Sequence, residues 1–422
     1  MIKGEKVRFD VHNILYSIFK LNKNLKDSYI KKIINKNKKE DISFINNVTL
    51  NSMRFHIHID KIINEYTSKK IRDHERILFI SAITQIVYLG FRDYAVINCS
   101  VQIAKKLKIY HGFINACLKK ISKDKKKLKK TKIKFSDLPQ WFKEETKLLP
   151  SLERKNFIEN FNKEPDIHLV FKDKKSLELF EEKILETSDT SGFLLIKKDI
   201  KGISSFIKGN WWVQDYSSFF PIHNLPIRDT SKKFLDVCAA PGGKAFQILS
   251  RKFDVDLNDK SFQRINILKS NLNRLNYKTI ILNQDFTKFQ TSKKYDCIII
   301  DAPCSAIGTI RRNPEIFFKS KRPDFFALDL IQRKMLEKAS LILNKQGLIL
   351  YMVCSFLKRE TEDQINSFLK VKDNFKLYNF TLKDKDKESS KLIKNDVMIT
   401  LPNTINNLNI DGYFAAYLKK IR

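Results

Sequence analysis

The chain has 422 residues, of which 80 are Lys or Arg and 47 are Asp or Glu, so its formal net charge is +33 at pH 7. Hydrophobic residues make up 42% of the chain, which is enough for folded cores and excludes a wholly disordered or collagen-like protein. No stretch approaches the ~20 apolar residues of a membrane span, and the first residues lack the apolar run of a signal peptide, so we expect a cytoplasmic protein.

The positive charge favours a polyanionic partner, with nucleic acid first and an anionic membrane surface second. However, Lys outnumbers Arg about fourfold, and an AT-rich genome would give the same bias without any ligand. The charge alone therefore leaves both explanations open. The six cysteines include no CxxC pair, which indicates a reducing compartment and predicts neither a disulfide scaffold nor a metal site.

Residues 8–121 are predicted to be almost entirely helical. Glycine is rare there, proline is absent, and apolar residues recur at helical spacing. One helix is expected to begin at Asp73 and to end at Gly90. Residues 1–122 are therefore expected to form an all-α domain.

The next two segments differ in composition. Residues 119–134 contain ten lysines and one aspartate, so we expect residues 123–135 to be a basic linker, either a solvated tether or a contact for an RNA backbone. Residues 136–225 are predicted to form a small α+β, RRM-like subdomain, with strands at 169–171 and 193–196 and a helix over 177–185 between them.

Residues 226–422 alternate strands with helices. Five strands are expected at 234–238, 253–257, 279–282, 295–300 and 348–353. Two later strands, at 397–400 and 413–418, are joined by a loop too short for a helical crossover and must pair antiparallel. The pattern predicts a doubly wound, Rossmann-like α/β sheet of seven strands whose last hairpin is antiparallel.

A glycine-rich motif, Asp-Val-Cys-Ala-Ala-Pro-Gly-Gly-Lys over residues 236–244, ends the first of these strands. Gly242 and Gly243 allow a ligand to approach the backbone closely, and the helix that follows offers free N–H groups. Asp256 lies 20 residues after Asp236, a spacing at which dinucleotide-binding folds place an acid against ribose hydroxyls. A glycine turn after a strand is also compatible with a tight connection that binds nothing.

Two further motifs follow neighbouring strands. Asp301-Ala-Pro-Cys304-Ser305 comes after one apolar strand, and Cys354-Ser355 comes after the next. Ligands of open α/β sheets bind beyond the carboxyl ends of the strands, so both cysteines are expected at the same crevice as the glycine loop. Cys99, Cys117 and Cys297 are expected to be inert, small buried residues.

Together these three motifs resemble the RNA 5-methylcytosine methyltransferases of the Nop2/Sun class. The segment Gly-Thr-Ile-Arg-Arg-Asn-Pro-Glu-Ile, residues 308–316, is similar to the bacterial RsmB (Sun, Fmu) branch. That branch methylates small-subunit (16S) ribosomal RNA and carries a NusB-like helical domain, to which residues 1–122 would correspond. The resemblance implies a class I methyltransferase domain, S-adenosyl-L-methionine as cofactor, ribosomal RNA as partner, no metal and a monomer.

The resemblance also implies roles for individual residues. Cys354 would attack cytosine C6 as a thiolate, Cys304 would assist elimination and release, and Asp301 would hydrogen-bond the pyrimidine. Arg311 and Arg312 would contact the RNA backbone at the rim of the crevice. The residues expected around the cofactor are Cys238, Ala239, Ala240, Pro241, Gly242, Gly243, Lys244, Asp256, Asp285 and Asp301, with Asp254 as an alternative to Asp256 at the ribose.

Two other functions remain open at this point. One is a non-catalytic RNA-binding protein with a decayed catalytic domain, against which the intact pair Cys304 and Cys354 argues. The other is an amino-group methyltransferase, which typically uses an Asn/Asp-Pro-Pro-aromatic loop, whereas Pro303 is followed in this chain by Cys304. The sequence does not identify the modified cytidine, nor does it decide between free RNA and an assembling subunit as substrate.

Overall fold

The computed structural model describes residues 3–67, 70–196, 200–383, 387–405 and 407–422. The chain forms two compact units, each assembled from two stretches of sequence. The first unit contains residues 1–162 and 310–322, and the second contains residues 163–309 and 323–422. Among the residues described, no helix combines the length and the apolar character that crossing a membrane requires.

The helices, in chain order, are α1 (Lys3–Phe19), α2 (Ser28–Asn35), α3 (Lys39–Tyr66), α4 (Asp73–Ile83), α5 (Asp93–Lys106), α6 (His111–Leu128), α7 (Gln140–Glu145), α8 (Ser151–Asn160), α9 (Lys174–Glu178), α10 (Tyr216–His223), α11 (Gly243–Ser250), α12 (Phe262–Arg274), α13 (Glu315–Phe318), α14 (Phe325–Ile342), α15 (Glu362–Val371) and α16 (Lys387–Ser390). The strands, also in chain order, are β1 (His168–Phe171), β2 (Ile184–Ser188), β3 (Ser191–Leu194), β4 (Trp211–Val213), β5 (Lys233–Asp236), β6 (Asp254–Asn258), β7 (Ile281–Leu282), β8 (Tyr295–Asp301), β9 (Leu343–Val353), β10 (Phe375–Tyr378), β11 (Ile393–Lys394), β12 (Val397–Thr400), β13 (Asn403–Ile405), β14 (Leu408–Ile410) and β15 (Tyr413–Lys420).

The amino-terminal part of the first unit is helical, as predicted. Helix α4 begins at Asp73, continues as a π-helical turn over Thr84–Tyr88 and ends before Gly90, whose φ is +67°. A glycine adopts this left-handed conformation without steric strain, which explains the end of the helix there. Within residues 8–121, the described part of the chain contains no strand.

The predicted basic linker at 123–135 is wrong over residues 123–128, because helix α6 extends to Leu128. The apolar spacing continues into the lysine-rich segment, and Ile114, Leu118, Ile121 and Leu128 are all buried. The lysines occupy the remaining faces, and Lys125 Nζ lies 2.7 Å from the Asp93 carboxylate. The segment is therefore an ordered, basic helix face.

The predicted boundary of the α+β subdomain at residue 136 is also wrong, since residues 136–162 belong to the first unit. Helices α7 and α8 meet there through aromatic rings. The ring of Phe142 lies 4.8 Å from that of Phe157 and 5.0 Å from that of Phe317. Phe317 comes from the second stretch of this unit, so a sequence-distant segment completes its aromatic core.

The second unit begins with a small antiparallel sheet in the order β2-β3-β1-β4. Four strands with a helix after the first give this segment an α+β character. The predicted helix over 177–185 is wrong. Helix α9 ends at Glu178, and residues 184–188 form strand β2 instead.

The main sheet has nine strands, in the order β11-β12-β15-β9-β8-β5-β6-β7, with β10 paired to β15. Strands β5 to β9 are parallel, and β15 runs antiparallel to both β9 and β12. The predicted parallel sheet with an antiparallel final hairpin is therefore confirmed. Strands β10 and β11 add to the seven that the sequence predicts.

Apolar residues cover both faces of this sheet. In β8, Cys297 and Ile299 contribute to the core on one face, while Ile298 and Ile300 contribute to the core on the other. A parallel strand buried on both sides is apolar throughout, as this one is. The polar residues that follow β5, β8 and β9 consequently meet at the carboxyl edge of the sheet.

Candidate active site

The two cysteines that follow β8 and β9 lie side by side at the carboxyl edge of the sheet. Strand β8 pairs with β9 in parallel, with Asp301 opposite Met352, so the loops after the two strands are neighbours. Cys304 Sγ lies 3.4 Å from Cys354 Sγ. The sequence expectation that both thiols share one crevice agrees with this geometry.

A buried carboxylate joins the two cysteine loops. Glu360 Oε2 accepts hydrogen bonds from Ser305 Oγ and Ser355 Oγ, both at 2.6 Å, and its Oε1 accepts one from the Ser305 backbone N–H at 2.7 Å. Burial raises the pKa of this carboxyl, while the two serine hydroxyls lower it. Sequence reasoning missed Glu360, because the string Lys358-Arg359-Glu360 is typical of a solvent-exposed turn.

The environment of Cys304 favours its protonated form. The hydrogen bond with Cys354, then burial, then the negative charges of Cys354 and Glu360 raise the pKa of the Cys304 thiol well above its usual value. A cysteine in these surroundings stays a thiol near neutral pH and is a weak nucleophile.

Asp301 is held from both sides. Its Oδ2 lies 2.5 Å from Lys244 Nζ, and its Oδ1 accepts a hydrogen bond of 2.8 Å from the Tyr413 hydroxyl. Lys244 comes from the glycine loop and Tyr413 from the first position of β15. The network therefore ties the loops after β5 and β8 to the antiparallel strand β15.

The predicted cofactor loop, Cys238 to Lys244, joins β5 to helix α11. At Gly242 the backbone has φ +121°, and a Cβ there would lie 2.0 Å from the Phe246 ring. No other residue type fits this position without displacement. Burial raises the pKa of the Cys238 thiol, so this cysteine remains neutral beside the loop.

The prediction that Asp256 lies at the tip of the second strand is wrong. Asp256 is inside β6, opposite Leu235, and its Oδ2 accepts hydrogen bonds from the Tyr295 hydroxyl at 2.8 Å and from Lys293 Nζ at 3.1 Å. Asp254, the alternative, is the first residue of β6 and lies at the opposite end of the strand from the glycine loop. A residue 20 positions after Asp236 therefore lies within β6 and not at its carboxyl end.

Asp259 is the acid that follows β6. Its Oδ2 accepts a hydrogen bond of 3.3 Å from the backbone N–H of Ala240, within the glycine loop, and lies 3.2 Å from Arg264 Nη1. Sequence reasoning missed it. The available signal was its position shortly before Ser261, whose side chain caps helix α12 and marks the end of the preceding loop.

Asp285 follows β7, the next parallel strand. It is exposed, and hydrogen bonds from the side chain and backbone of Thr287 lower its pKa. The Asn258 side chain makes two hydrogen bonds of 3.1 Å to the backbone of Gln284: its Nδ2 donates to the carbonyl, and its Oδ1 accepts from the N–H. Asp285 therefore stands near the Asn258–Asp259 end of β6.

Asp236, the last residue of β5, is fully buried. Within the described part of the chain, neither of its carboxyl oxygens has a hydrogen-bond partner of ordinary geometry. Burial raises the pKa of Asp236 to about 7, although the positive charge of Lys244 acts to lower it. At neutral pH this side chain is consequently close to half protonated.

Arg311 and Arg312 belong to the first unit and differ from each other. Arg311 is 0% exposed, and its Nε donates a hydrogen bond of 2.9 Å to the Asn160 carbonyl. The expected RNA-backbone contact by Arg311 is therefore wrong for this conformation, because a buried guanidinium does not reach a phosphate. Arg312 is exposed.

Among the described residues, no group of three or more His, Cys, Asp or Glu side chains is arranged to hold a metal ion. The side chains described above at this edge of the sheet are the two thiols and the carboxylates of Glu360 and Asp301 with their hydrogen-bond donors, next to the glycine loop.

Comparison with known proteins finds similarity in two parts of the chain. Residues 225–419 match the model of the 16S rRNA methyltransferase RsmB/F family, and residues 6–123 match that of the NusB family. The ribosomal RNA small subunit methyltransferase B of Shewanella oneidensis is 31% identical over 238 residues, which are 55% of this chain and 53% of that protein. The protein of the same name from Pasteurella multocida is 26% identical, over 79% of this chain and 80% of its own length.

The match thus spans about half of the Shewanella protein. The crystal structure of the protein PH0851 superposes with a TM-score of 0.71 and 20% identity, over 100% of this chain and 99% of the other. At this identity the superposition shows the fold alone, namely a parallel-dominated α/β sheet with additional domains.

Proposed function

We propose that the chain methylates cytosine C5 in small-subunit ribosomal RNA, because residues 225–419 match the model of the 16S rRNA methyltransferase RsmB/F family and residues 6–123 match that of the NusB family. The observation that carries the proposal is the 3.4 Å approach of the Cys304 and Cys354 sulfurs at two adjacent strand ends. Methylation of a ring carbon needs such chemistry, because cytosine C5 is a poor nucleophile until a thiolate has added to C6.

Cys354 is the proposed nucleophile. Its sulfur bonds to C6, and C5 then takes the methyl group from the sulfonium of S-adenosyl-L-methionine. A water molecule takes the C5 proton as the C6–sulfur bond breaks, which regenerates the Cys354 thiolate. The environment of Cys304 supports this division of roles, since a thiol whose pKa is raised stays protonated, is a poor attacking group and can donate a hydrogen bond to the departing Cys354 sulfur.

Asp301 is proposed to hydrogen-bond the edge of the target base. Lys244 and Tyr413 fix the two carboxyl oxygens of Asp301, so its orientation is set before the base arrives. A carboxylate held by two donors requires little reorganisation at the moment of reaction. One of these two bonds would be exchanged for the bond to the base.

S-adenosyl-L-methionine is the proposed cofactor, and its chemical contribution is a methyl group on a sulfonium. The residues fit it. Gly242 leaves room for close approach, Asp259 lies beside the Ala240 N–H where ribose hydroxyls would be received, and Asp285 follows the neighbouring strand. Arg264 now pairs with Asp259, and its half-exposed side chain would move aside.

Ribosomal RNA is the proposed substrate. The exposed Arg312 and the basic face of α6 are proposed to bind phosphates in a sequence-independent manner. The target base must leave its stack to reach thiols at a strand edge, and backbone contacts would hold the strand meanwhile.

A covalent trapping experiment tests the proposal. Wild type, Cys354→Ala and Cys304→Ala are incubated with small-subunit ribosomal RNA and S-adenosyl-L-methionine, then separated on a denaturing gel. Only Cys304→Ala should accumulate a protein–RNA adduct, because addition and methyl transfer proceed while elimination stalls. Cys99→Ala, a substitution in the first unit, is the control and should behave as wild type.

The possible outcomes separate the alternatives. An adduct with Cys354→Ala and none with Cys304→Ala would reverse the two roles. Chromatography of the digested RNA should give 5-methylcytidine. N4-methylcytidine would favour the amino-group methyltransferase, and unmodified RNA from the wild type would favour a protein that only binds RNA.

A further inference from the structure

Glu360 contacts both cysteine loops through the serines that follow the cysteines. It lies in the turn after β9, just before α15, and its side chain is buried. Through its two oxygens it reaches Ser305, which follows Cys304, and Ser355, which follows Cys354. The two residues that it clamps are thus the immediate neighbours of the two thiols.

A carboxylate is a costly group to keep in this position. Burying one without partners is strongly unfavourable, and a well-packed apolar side chain of the same volume is often at least as stable. In this site three hydrogen bonds of 2.6 to 2.7 Å offset the cost, and all three donors belong to the two serines. The arrangement therefore ties two loops together rather than filling space.

A second contact reinforces the same pair of loops. Gln332, on helix α14, donates a hydrogen bond of 2.9 Å to the carbonyl of Pro303, which precedes Cys304. The same Nε2 lies 3.5 Å from Glu360 Oε1. Helix α14 thus braces the Cys304 loop from the side on which Glu360 holds it.

We propose that Glu360 is a positioning residue that holds the Cys304 and Cys354 sulfurs on one target base. The expected loss of turnover rests on the proposed function, whereas the expected change in the spacing of the two thiols does not. Without the clamp, two loops from separate strand ends would move independently. A displacement of about 1 Å at reacting atoms is enough to reduce turnover about 10²-fold.

The experiment compares Glu360→Ala and Glu360→Gln with a matched control, Asp329→Asn. Asp329 accepts a bond of 2.8 Å from Arg359, the residue before Glu360, but bonds to neither serine. Glu360→Ala should lower kcat about 100-fold, with the KM for RNA and for S-adenosyl-L-methionine within about twofold of wild type. Glu360→Gln should retain more activity, since its amide oxygen still accepts from Ser305 and the serine hydroxyls can rotate to accept its N–H groups.

A second measurement reports thiol geometry without any turnover. Dibromobimane becomes fluorescent when it bridges two nearby thiols, and Cys354→Ala supplies the blank. Bridging of Cys304 to Cys354 should fall several-fold in Glu360→Ala and stay at the wild-type rate in Asp329→Asn. Circular dichroism at each step confirms that the variants are folded.

The activity and bridging measurements test the proposed function and the positioning role of Glu360 separately. If the wild type makes no 5-methylcytidine but Glu360→Ala still loses bridging, the proposed function fails and the clamp stands. If folded Glu360→Ala bridges its thiols at the wild-type rate, the clamp is refuted, whatever the activity. A loss expressed in KM rather than kcat, or an equal loss in Asp329→Asn, would also overturn the positioning role.

Discussion

Asp236 makes the stability of the second unit depend on pH in a calculable way. Burial raises its pKa from 3.8 to about 7 in the folded protein. The protonated form is therefore the one that the folded state favours. Its contribution to stability is fully present below about pH 3.8 and is lost as the pH rises through about 7.

The magnitude follows from the two pKa values. Each pKa unit corresponds to about 1.4 kcal/mol, so the complete effect is about 4 kcal/mol. At pH 5 the unfolded state is already almost fully ionised, so part of the effect has been lost by then, and about 2.5 kcal/mol of the free energy of unfolding should be lost between pH 5 and pH 8. Asp236→Asn keeps the shape of the side chain, cannot ionise, and should lack this loss.

Urea unfolding of the cofactor-free protein at pH 5, 6, 7 and 8 measures the difference. A Trp141→Phe background leaves Trp211 and Trp212 as the remaining tryptophans, and both lie in the same unit as Asp236. Subtracting the curve of Asp236→Asn removes contributions from other titrating groups. Asp296→Asn, on neighbouring strand β8, controls for the loss of one carboxylate. Parallel curves for Asp236→Asn and the Asp296→Asn control would refute the reasoning.

Five further substitutions test the site and the basic surface. Asp259→Asn should weaken S-adenosyl-L-methionine binding by about 1–3 kcal/mol in calorimetry, whereas Asp256→Asn should leave the affinity within about twofold and lower the stability instead. Gly242→Ala should destabilise the protein by about 1–3 kcal/mol, since its φ of +121° and the nearby Phe246 ring both disfavour a Cβ. Arg312→Ala should reduce the salt dependence of RNA binding by about one ion, whereas Arg311→Met should lower the melting temperature, since it removes the buried hydrogen bond to the Asn160 carbonyl.

The sequence was sufficient to predict the seven main strands of the sheet, because β8 and β9 contain long apolar runs and the strands alternate with amphipathic helices. The position of each strand end was harder to predict. Strand β6 extends to Asn258, whose side chain is secured by the backbone of Gln284 across β7. That cross-strand bond has no local signal, so a spacing rule pointed to Asp256 and missed Asp259, which contacts the glycine loop.

The first unit shows two other limits of local patterns. Ten lysines masked an apolar spacing that continues from Ile121 to Leu128, and counting buried positions instead of charges would have extended α6. The assignment of residues 310–322 was not predictable in this way. Arg311 bonds to Asn160, which is about 150 residues earlier, and no periodicity within either segment encodes that contact.

The candidate site shows the same difference between what the sequence predicts and what only the structure reveals. The proximity of Cys304 and Cys354 follows from topology, because adjacent parallel strands deliver their following loops to one edge. Topology alone brings the two loops within several ångströms of each other. The two thiols are proposed to act on one base, which requires closer positioning than that. The remaining precision comes from Glu360, a charged residue whose burial becomes evident only when both serines are in place. A sequence motif can therefore identify the reacting groups of such a site, while the residue that sets their separation must be sought among buried charges outside the motif.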